Sequence, residues 1–213
     1  MPSPRSRVEL GSTVARHYDL FMDLISIGYY PFLVKKIVDK MDIQIGQSIL
    51  DLGSGTGRND CFIARKVGRD GSILGLDISQ EMLSLSRRRC RAYPNVEFRE
   101  QRIELPWPYQ QEFDKVFVAF ALHGFENAQK LGIISNAYRA LKAGGVFCIL
   151  DYNAFDLDRL WFPIRWVFTH AECQLASEFL RLDLKEMLSS QGFTSFEEEL
   201  FVRGYLRLLK AIK

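Results

Sequence analysis

The chain lacks several features that would direct a protein to a membrane or cross-link it. No apolar run reaches the roughly 18 residues that a membrane span needs, and the longest candidates are residues 24–34 and 160–168. Residues 1–9 contain no apolar core of a signal peptide. The four cysteines are scattered without a CxxC pair, which argues against a zinc knuckle or a thioredoxin-like motif. We therefore expect a cytoplasmic protein with reduced thiols, whose contact with a membrane would be peripheral.

An excess of charge of one sign is also missing. The net charge is only +2 over 213 residues, so composition does not favour a nucleic-acid partner. The basic cluster at residues 87–91 is interpreted as a solvated helix end. His170 lies near Glu172 and Cys173, but the three residues lack the spacing of a metal site, and we expect no metal. The contents of 47% hydrophobic and 25% charged residues predict one globular domain.

The chain alternates short apolar strands with amphipathic helices. Strands are predicted over residues 48–52, 72–77, 96–99, 115–120 and 146–152, and helices from residue 59, over 80–92 with Ser79 as the cap, and over 127–141. A helix over 183–191 precedes two strands, 193–201 and 205–212, which are separated by Arg203 and Gly204. These patterns predict an α/β, Rossmann-like fold whose seven-stranded sheet is mostly parallel, with helices on both faces and an antiparallel C-terminal edge hairpin.

The first part of the chain has a different character. Residues 13–40 are rich in helical patterns, with interruptions predicted near Gly28 and Pro31. We therefore divide the chain into an N-terminal helical extension or lid, residues 1–40, and an α/β domain, residues 41–213.

The strongest local motif is a strand that enters a glycine loop, residues 53–57, and then a helix. Glycines at such a turn permit a positive φ and let a ligand touch the backbone. Asp77 ends the next strand, 20 residues after Gly57, at the spacing where a carboxylate meets the hydroxyls of a ribose. Together the loop and the acid predict a ligand that contains adenosine.

The spacing within the loop separates two kinds of adenosine ligand. Dinucleotide enzymes favour G-x-G-x-x-G, which suits a pyrophosphate at a helix N-terminus, whereas this loop is G-x-G-x-G and follows Asp51. A buried carboxylate there would repel a pyrophosphate and favour a cationic amino-acid ligand. Arg58, directly after the loop, is the one feature that favours a pyrophosphate.

These motifs resemble those of class I S-adenosylmethionine-dependent methyltransferases. The resemblance includes residues 51–57, Asp77, Leu105-Pro106, Phe113-Asp114 and residues 140–145, and it spans roughly residues 18–213. It implies S-adenosylmethionine as the cofactor, with the glycine loop against its methionine, Asp77 on the ribose, Ile78 and Met82 on the adenine, and Gln101 and Arg102 at the adenine edge. Gln101 departs from the acidic residue common in the family, although its amide can still bond an amine.

A narrower resemblance concerns ubiquinone/menaquinone-biosynthesis C-methyltransferases. It rests on residues 17–28 and on Val118-Ala119-Phe120-Ala121-Leu122, and it weakens after Asp151. Tyr18 and Phe120 could face the sulfonium through their rings or pack in the core. The full set of predicted cofactor-binding residues is Asp51, Gly53, Ser54, Gly55, Thr56, Gly57, Asp77, Ile78, Met82, Gln101, Arg102, Ala119, Phe120 and Tyr18.

His123 follows the fourth strand, where the substrate crevice of an open α/β sheet lies. It is a candidate catalytic base or substrate-positioning group, with a hydrogen-bonded wall residue as the alternative. A roof of aromatic residues with few charges favours a small apolar, ring-bearing or lipid-like acceptor, and a quinol precursor is the leading candidate. The residues of this predicted roof are Phe21, Tyr29, Tyr30, Phe32, Trp161, Phe162, Trp166 and Phe168.

Other functions stay open at this point. Within methyltransferases the alternative acceptor is a phospholipid or another small amine. Outside that class, the alternatives are a catalytically silent S-adenosylmethionine-binding protein and an NAD(P)-dependent oxidoreductase.

Overall fold

The structure is a computed structural model that describes residues 29–155 and 174–213. The helices are α1 (Tyr30–Lys40), α2 (Arg58–Val67), α3 (Gln80–Arg89), α4 (Asn127–Ala140), α5 (Gln174–Phe179) and α6 (Leu184–Ser190). The strands are β1 (Ser48–Leu52), β2 (Ser72–Asp77), β3 (Val96–Glu100), β4 (Phe113–Ala119), β5 (Leu141–Tyr152), β6 (Ser195–Phe201) and β7 (Leu206–Ile212). Short 3-10 turns cover Leu122–Gly124 and Val202–Gly204.

The strands form one seven-stranded sheet in the order β3-β2-β1-β4-β5-β7-β6. Strands β1 to β5 pair in parallel, and β7 is antiparallel to both of its neighbours. The predicted fold class, including the antiparallel C-terminal edge, is confirmed. From β1 the sheet extends to β2 on one side and to β4 on the other, so the carboxyl end of β1 lies at a topological switch point, where such sheets bind ligands.

Helices cover both faces of this sheet, because side chains alternate along each strand. In β1, Leu50 and Leu52 are buried in the core cluster that includes residues of α4 and α6, whereas Ile49 is buried with residues of α1 and α2. Asp51 therefore shares the face of Ile49, beneath α2. Hydrophobic burial on both faces holds the carboxyl ends of the strands in place.

Several predicted helix ends were wrong. The helix predicted to residue 92 ends at Arg89, although Ser79 caps it as expected, accepting from the N–H of Met82 at 3.3 Å. The helix predicted to residue 141 ends at Ala140, because Leu141 already pairs with Phe113 in β5.

Pro31 marks a helix start, which agrees with the interruption predicted near it, since α1 begins at Tyr30. It lies in the first turn of α1, where the N–H that proline lacks would have no partner within the helix. Gly28 and the earlier residues lie outside the described part of the chain. Helix α1 packs on the sheet through Leu33, Val34 and Ile37. The predicted boundary at residue 40, between the N-terminal extension and the α/β domain, stays a prediction.

The four arginines of the basic cluster at residues 87–91 are exposed, which agrees with its interpretation as a solvated helix end. Within residues 29–155 and 174–213, no helix combines the length and apolar character needed to cross a bilayer. The same ranges contain no group of three His, Cys, Asp or Glu side chains that could hold a metal, while His170, Glu172 and Cys173 lie outside them.

Candidate cofactor and acceptor site

The glycine loop connects β1 to α2 and is held against β2. The N–H groups of Gly53 and Ser54 both donate to the carbonyl oxygen of Leu76, at 2.8 and 2.9 Å. Three glycines of the loop have a positive φ, at 73° for Gly53, 53° for Gly55 and 73° for Gly57. Most other residues adopt such angles only at a cost, so the loop depends on its glycines.

Gly55 and Gly57 have contrasting surroundings. A Cβ at Gly57 would lie 2.8 Å from the Cβ of Ser86 and 3.2 Å from the ring of Phe98, so packing against α3 and β3 excludes a side chain there. A Cβ at Gly55 would have its nearest neighbour, the oxygen of Gly53, 4.0 Å away. The space beside Gly55 can accept part of a ligand.

Asp77 lies at the carboxyl end of β2 and is bonded to the loop. Its Oδ2 accepts from the N–H of Gly55 at 2.9 Å, and its Oδ1 accepts from the N–H of Ser79 at 2.8 Å. Burial raises the pKa of Asp77, and these backbone donors oppose the rise. A carboxylate offers about four lone-pair sites, so Asp77 can still accept from two ribose hydroxyls.

The residues predicted at the adenine lie around Asp77. Gln101 donates its N–H to the carbonyl oxygen of Asp77 at 3.0 Å. Ile78 is half-buried and Met82 is buried. The guanidinium of Arg102 forms an ion pair with Glu104 at 2.7 Å, so this side chain is already engaged within the protein. The structure thus brings Asp77, Ile78 and Gln101 together at one edge of the sheet.

A pair of buried carboxyls lies beneath the loop. Asp51 is 1% exposed and Asp60, in the first turn of α2, is 0% exposed. None of their four carboxyl oxygens has a hydrogen-bond partner among the described residues. Burial raises the pKa of Asp60 to about 7, and burial together with the charge of Asp60 raises the pKa of Asp51 well above its usual value. At neutral pH the pair therefore keeps at least one proton.

Asp60 was missed by the sequence interpretation. It reads as an ordinary acidic residue of a helix N-terminus, and only the packing of α2 over β1 places it beside Asp51. Buried carboxyls without donors are costly, and a cationic ligand above them would offset that cost.

His123 lies in the 3-10 turn that follows β4 and is paired with an acid. Its Nδ1 lies 2.8 Å from Oδ1 of Asp151, and its backbone N–H donates to Oδ2 of the same residue at 3.1 Å. Asp151 is 1% exposed and also accepts from the N–H of Tyr152 at 2.8 Å. The carboxylate favours the tautomer with a proton on Nδ1, which places the basic lone pair on Nε2. Sequence interpretation missed Asp151, although its place at the end of the strand next to β4 was a usable signal.

Aromatic rings surround the imidazole. The ring of Tyr152 is centred 5.0 Å from that of His123, and the ring of Phe179 is centred 6.4 Å away. Phe120, directly after β4, packs against Tyr152 with a centroid distance of 6.3 Å. The wall beside His123 is therefore apolar and aromatic.

Phe120 has an unusual backbone conformation. Its φ is 51°, and its N–H donates to the carbonyl oxygen of Leu150 at 2.9 Å. A bulky residue with a positive φ is strained, and such residues cluster at functional sites. Next to Phe120, a Cβ at Gly53 would lie 3.4 Å from the Cβ of Ala121, so the end of β4 meets the glycine loop.

The other predicted site residues lie in the glycine loop, in β4 or outside the described part of the chain. Ala119 is half-buried at the end of β4, and Thr56 and Ser54 are buried in the loop. Tyr18 lies outside the described residues. Of the predicted aromatic roof, Tyr29 and Phe32 are exposed. The side chains of the other six lie outside the described set: Phe21, Tyr30, Trp161, Phe162, Trp166 and Phe168.

The chain resembles known proteins in sequence. The model of the ubiE/COQ5 methyltransferase family matches residues 5–176. The ubiquinone/menaquinone biosynthesis C-methyltransferase UbiE of Escherichia fergusonii is 32% identical over 145 residues, which cover 66% of this chain and 57% of that protein. The match thus spans little more than half the length of this curated relative.

Solved structures show the same fold. A SAM-dependent methyltransferase from Aquifex aeolicus superposes with a TM-score of 0.70 at 18% identity, covering 96% of this chain and 99% of that one. The CurJ carbon methyltransferase superposes with a TM-score of 0.60 at 18% identity, covering 79% and 49%. The comparisons confirm the predicted resemblance and the fold class, and they agree with S-adenosylmethionine as the predicted cofactor.

Proposed function

The chain belongs to the ubiE/COQ5 methyltransferase family, and on that premise we propose that it transfers the methyl group of S-adenosylmethionine to a small ring-bearing acceptor. One observation carries this proposal. The cradle formed by the glycine loop and Asp77 lies at the carboxyl end of β1 and β2, and the His123–Asp151 pair lies at the carboxyl ends of the neighbouring β4 and β5. Cofactor and acceptor would therefore meet across the switch point of the sheet.

The residues fit this cofactor. Asp77 would accept from the two ribose hydroxyls, Ile78 and Met82 would pack on the adenine, and Gln101 would bond its edge. The methionine would lie along the open side of Gly55, where a Cβ would meet nothing closer than 4.0 Å. Its ammonium would lie near Asp51 and Asp60, whose oxygens have no hydrogen-bond partner among the described residues, and its positive charge would favour ionisation of the pair. A pyrophosphate would be repelled there, which disfavours the oxidoreductase alternative.

The chain's own residues do little covalent work in this reaction. When bound, the cofactor supplies a methyl group already activated by its sulfonium. His123 takes the proton that the acceptor loses, through Nε2, and Asp151 holds the ring and stabilises the imidazolium. The rings of Phe120 and Tyr152 exclude water and align the acceptor, and Phe179, which is buried, packs behind His123.

The aromatic wall favours a ring-bearing acceptor over a small polar one. A phenol or an enolisable ring would stack against Tyr152 and lose its proton to His123, whereas a charged acceptor would have to lose its hydration there. The relative UbiE is named for ubiquinone and menaquinone biosynthesis, and a quinol precursor is accordingly the acceptor that we propose for this chain.

Turnover with defined acceptors tests this function. Purified protein with S-adenosylmethionine should produce S-adenosylhomocysteine and a methylated quinol precursor, detected by mass spectrometry. Phosphatidylethanolamine vesicles test the amine alternative, and glycine serves as the polar control. Methylation of the vesicle lipid or of glycine, but not of the quinol precursor, would contradict the acceptor proposed. Binding of S-adenosylhomocysteine without turnover of any acceptor in a wide panel would favour the silent alternative.

A further inference from the structure

Two cysteines that this reaction does not use lie in contact beside the glycine loop. The Sγ atoms of Cys61, in α2, and Cys90, directly after α3, are 2.6 Å apart, although 29 residues separate them in sequence. Both are free thiols. A disulfide has an S–S length of about 2.0 Å, so a covalent bond needs an approach of only about half an ångström.

The surroundings of Cys61 favour its thiolate. The thiol of Cys90 hydrogen-bonds to it and lowers the pKa of Cys61, and the positive charges of Arg89 and Arg65 lower this pKa as well. Burial and the nearby Asp60 oppose the shift. Cys61 is also half-buried, so a small oxidant can reach it, whereas Cys90 is 3% exposed. Reactive cysteines occur in such electropositive, partly exposed surroundings.

We propose that Cys61 and Cys90 form an oxidisable dithiol, which a peroxide converts into a disulfide that joins α2 to the end of α3, and which a thiol reductant restores. The Cys61 thiolate attacks one peroxide oxygen, becomes a sulfenic acid and releases hydroxide. The Cys90 thiol then attacks the sulfenic sulfur, the S–S bond forms, and water leaves as the thiol proton is taken up. In total two thiols and one hydrogen peroxide give one disulfide and two waters.

The proposed bond would lie against the end of the glycine loop. Sγ of Cys90 also lies 3.4 Å from the carbonyl oxygen of Gly57. The neighbouring Arg89 donates to the carbonyl oxygen and the hydroxyl of Thr56, at 3.1 and 2.5 Å. The start of α2 and the end of α3 are therefore already joined through the loop, and a disulfide would make that connection covalent.

The experiment uses the full chain with Cys173→Ser, which removes the cysteine outside the described residues. Hydrogen peroxide is the probe, followed by acid quench, denaturation, alkylation of remaining thiols and intact mass. The expected product has lost two hydrogens and carries one alkyl group, and its digest contains a peptide pair linked through Cys61 and Cys90. Dithiothreitol should restore three alkylated thiols. The melting temperature of the oxidised form should exceed that of the reduced form by about 5 °C, because the bond closes a loop in the unfolded chain.

Two variants make the outcome specific. Cys90→Ser should stop at a sulfenic acid on Cys61, which dimedone traps, and should give no intramolecular disulfide. Cys148→Ser is the matched control, since Cys148 is fully buried in β5 and burial raises its pKa to about 12, and this variant should oxidise like the parent. The proposal is overturned if peroxide leaves Cys61 and Cys90 unlinked, or if linkage persists only between separate molecules.

Discussion

Replacing Asp60 by asparagine should make the free protein more stable at pH 8 and flatten its dependence on pH. Burial raises the pKa of Asp60 from 3.8 to about 7. Between about pH 4 and pH 7 the folded protein thus holds a proton that the unfolded chain has already lost. The free energy of unfolding therefore falls as the pH rises through this window. One pKa unit corresponds to about 1.4 kcal/mol, so the wild type should lose about 3 kcal/mol between pH 5 and pH 8 through this group.

The Asp60→Asn variant keeps the shape of the side chain but does not ionise. Its amide can also donate a hydrogen bond to Asp51, whose oxygens have no hydrogen-bond partner among the described residues. The free energy of unfolding in urea, measured at pH 5 and pH 8, should therefore differ less in the variant than in the wild type. Asp70→Asn, at an exposed residue before β2, is the control and should leave the wild-type profile unchanged. A variant that loses as much stability as the wild type between these pH values would refute the reasoning.

The other predictions concern the site itself. Asp77→Ala should weaken binding of S-adenosylhomocysteine by about 2 kcal/mol in calorimetry, since it removes charge-assisted bonds to two hydroxyls; unchanged affinity would refute this role. Gly57→Ala should lower the free energy of unfolding by at least about 2 kcal/mol, because its Cβ would lie 2.8 Å from that of Ser86. Gly55→Val should instead weaken S-adenosylhomocysteine binding by at least tenfold, with a smaller loss of stability. His123→Gln should lower kcat by about 10²-fold with cofactor affinity preserved; a normal kcat with a raised KM would make it a wall residue. Asp151→Asn should lower kcat by at least tenfold with cofactor affinity preserved, and a loss of stability with kcat unchanged would leave Asp151 a merely structural partner.

The sequence correctly predicted those features that depend on residues close together in the chain. The glycine loop, Asp77 and the cap at Ser79 each depend on spacings of a few residues, and β1 and β2 were predicted to the residue. The predicted end of α4 was wrong. Lys142, Gly144 and Gly145 have the pattern of a helix terminus, whereas the pairing of Leu141 with Phe113, which ends the helix earlier, is a contact between distant parts of the chain.

The missed site residues follow the same physical rule. Asp151 reaches His123 only because β4 and β5 are neighbours, and Asp60 reaches Asp51 only because α2 packs over β1. The contact of Cys61 with Cys90 depends in the same way on the packing of α2 and α3. The spacing of these residues along the chain does not indicate that they are in contact, so the contacts could be found only from the folded structure.

The position of β1 has a consequence for how the protein folds. This strand pairs with β2 on one side and with β4 on the other, and Ser48 donates its N–H to Asp114, which lies 66 residues later. Parallel pairings between distant segments form slowly, because the closure of a long loop precedes any gain from contacts. The glycine loop acquires its neighbour Ala121 only when β4 has docked, so ligand binding should appear late in refolding and report on the whole sheet. A fragment that ends before β4 should accordingly contain the complete loop motif and still fail to bind.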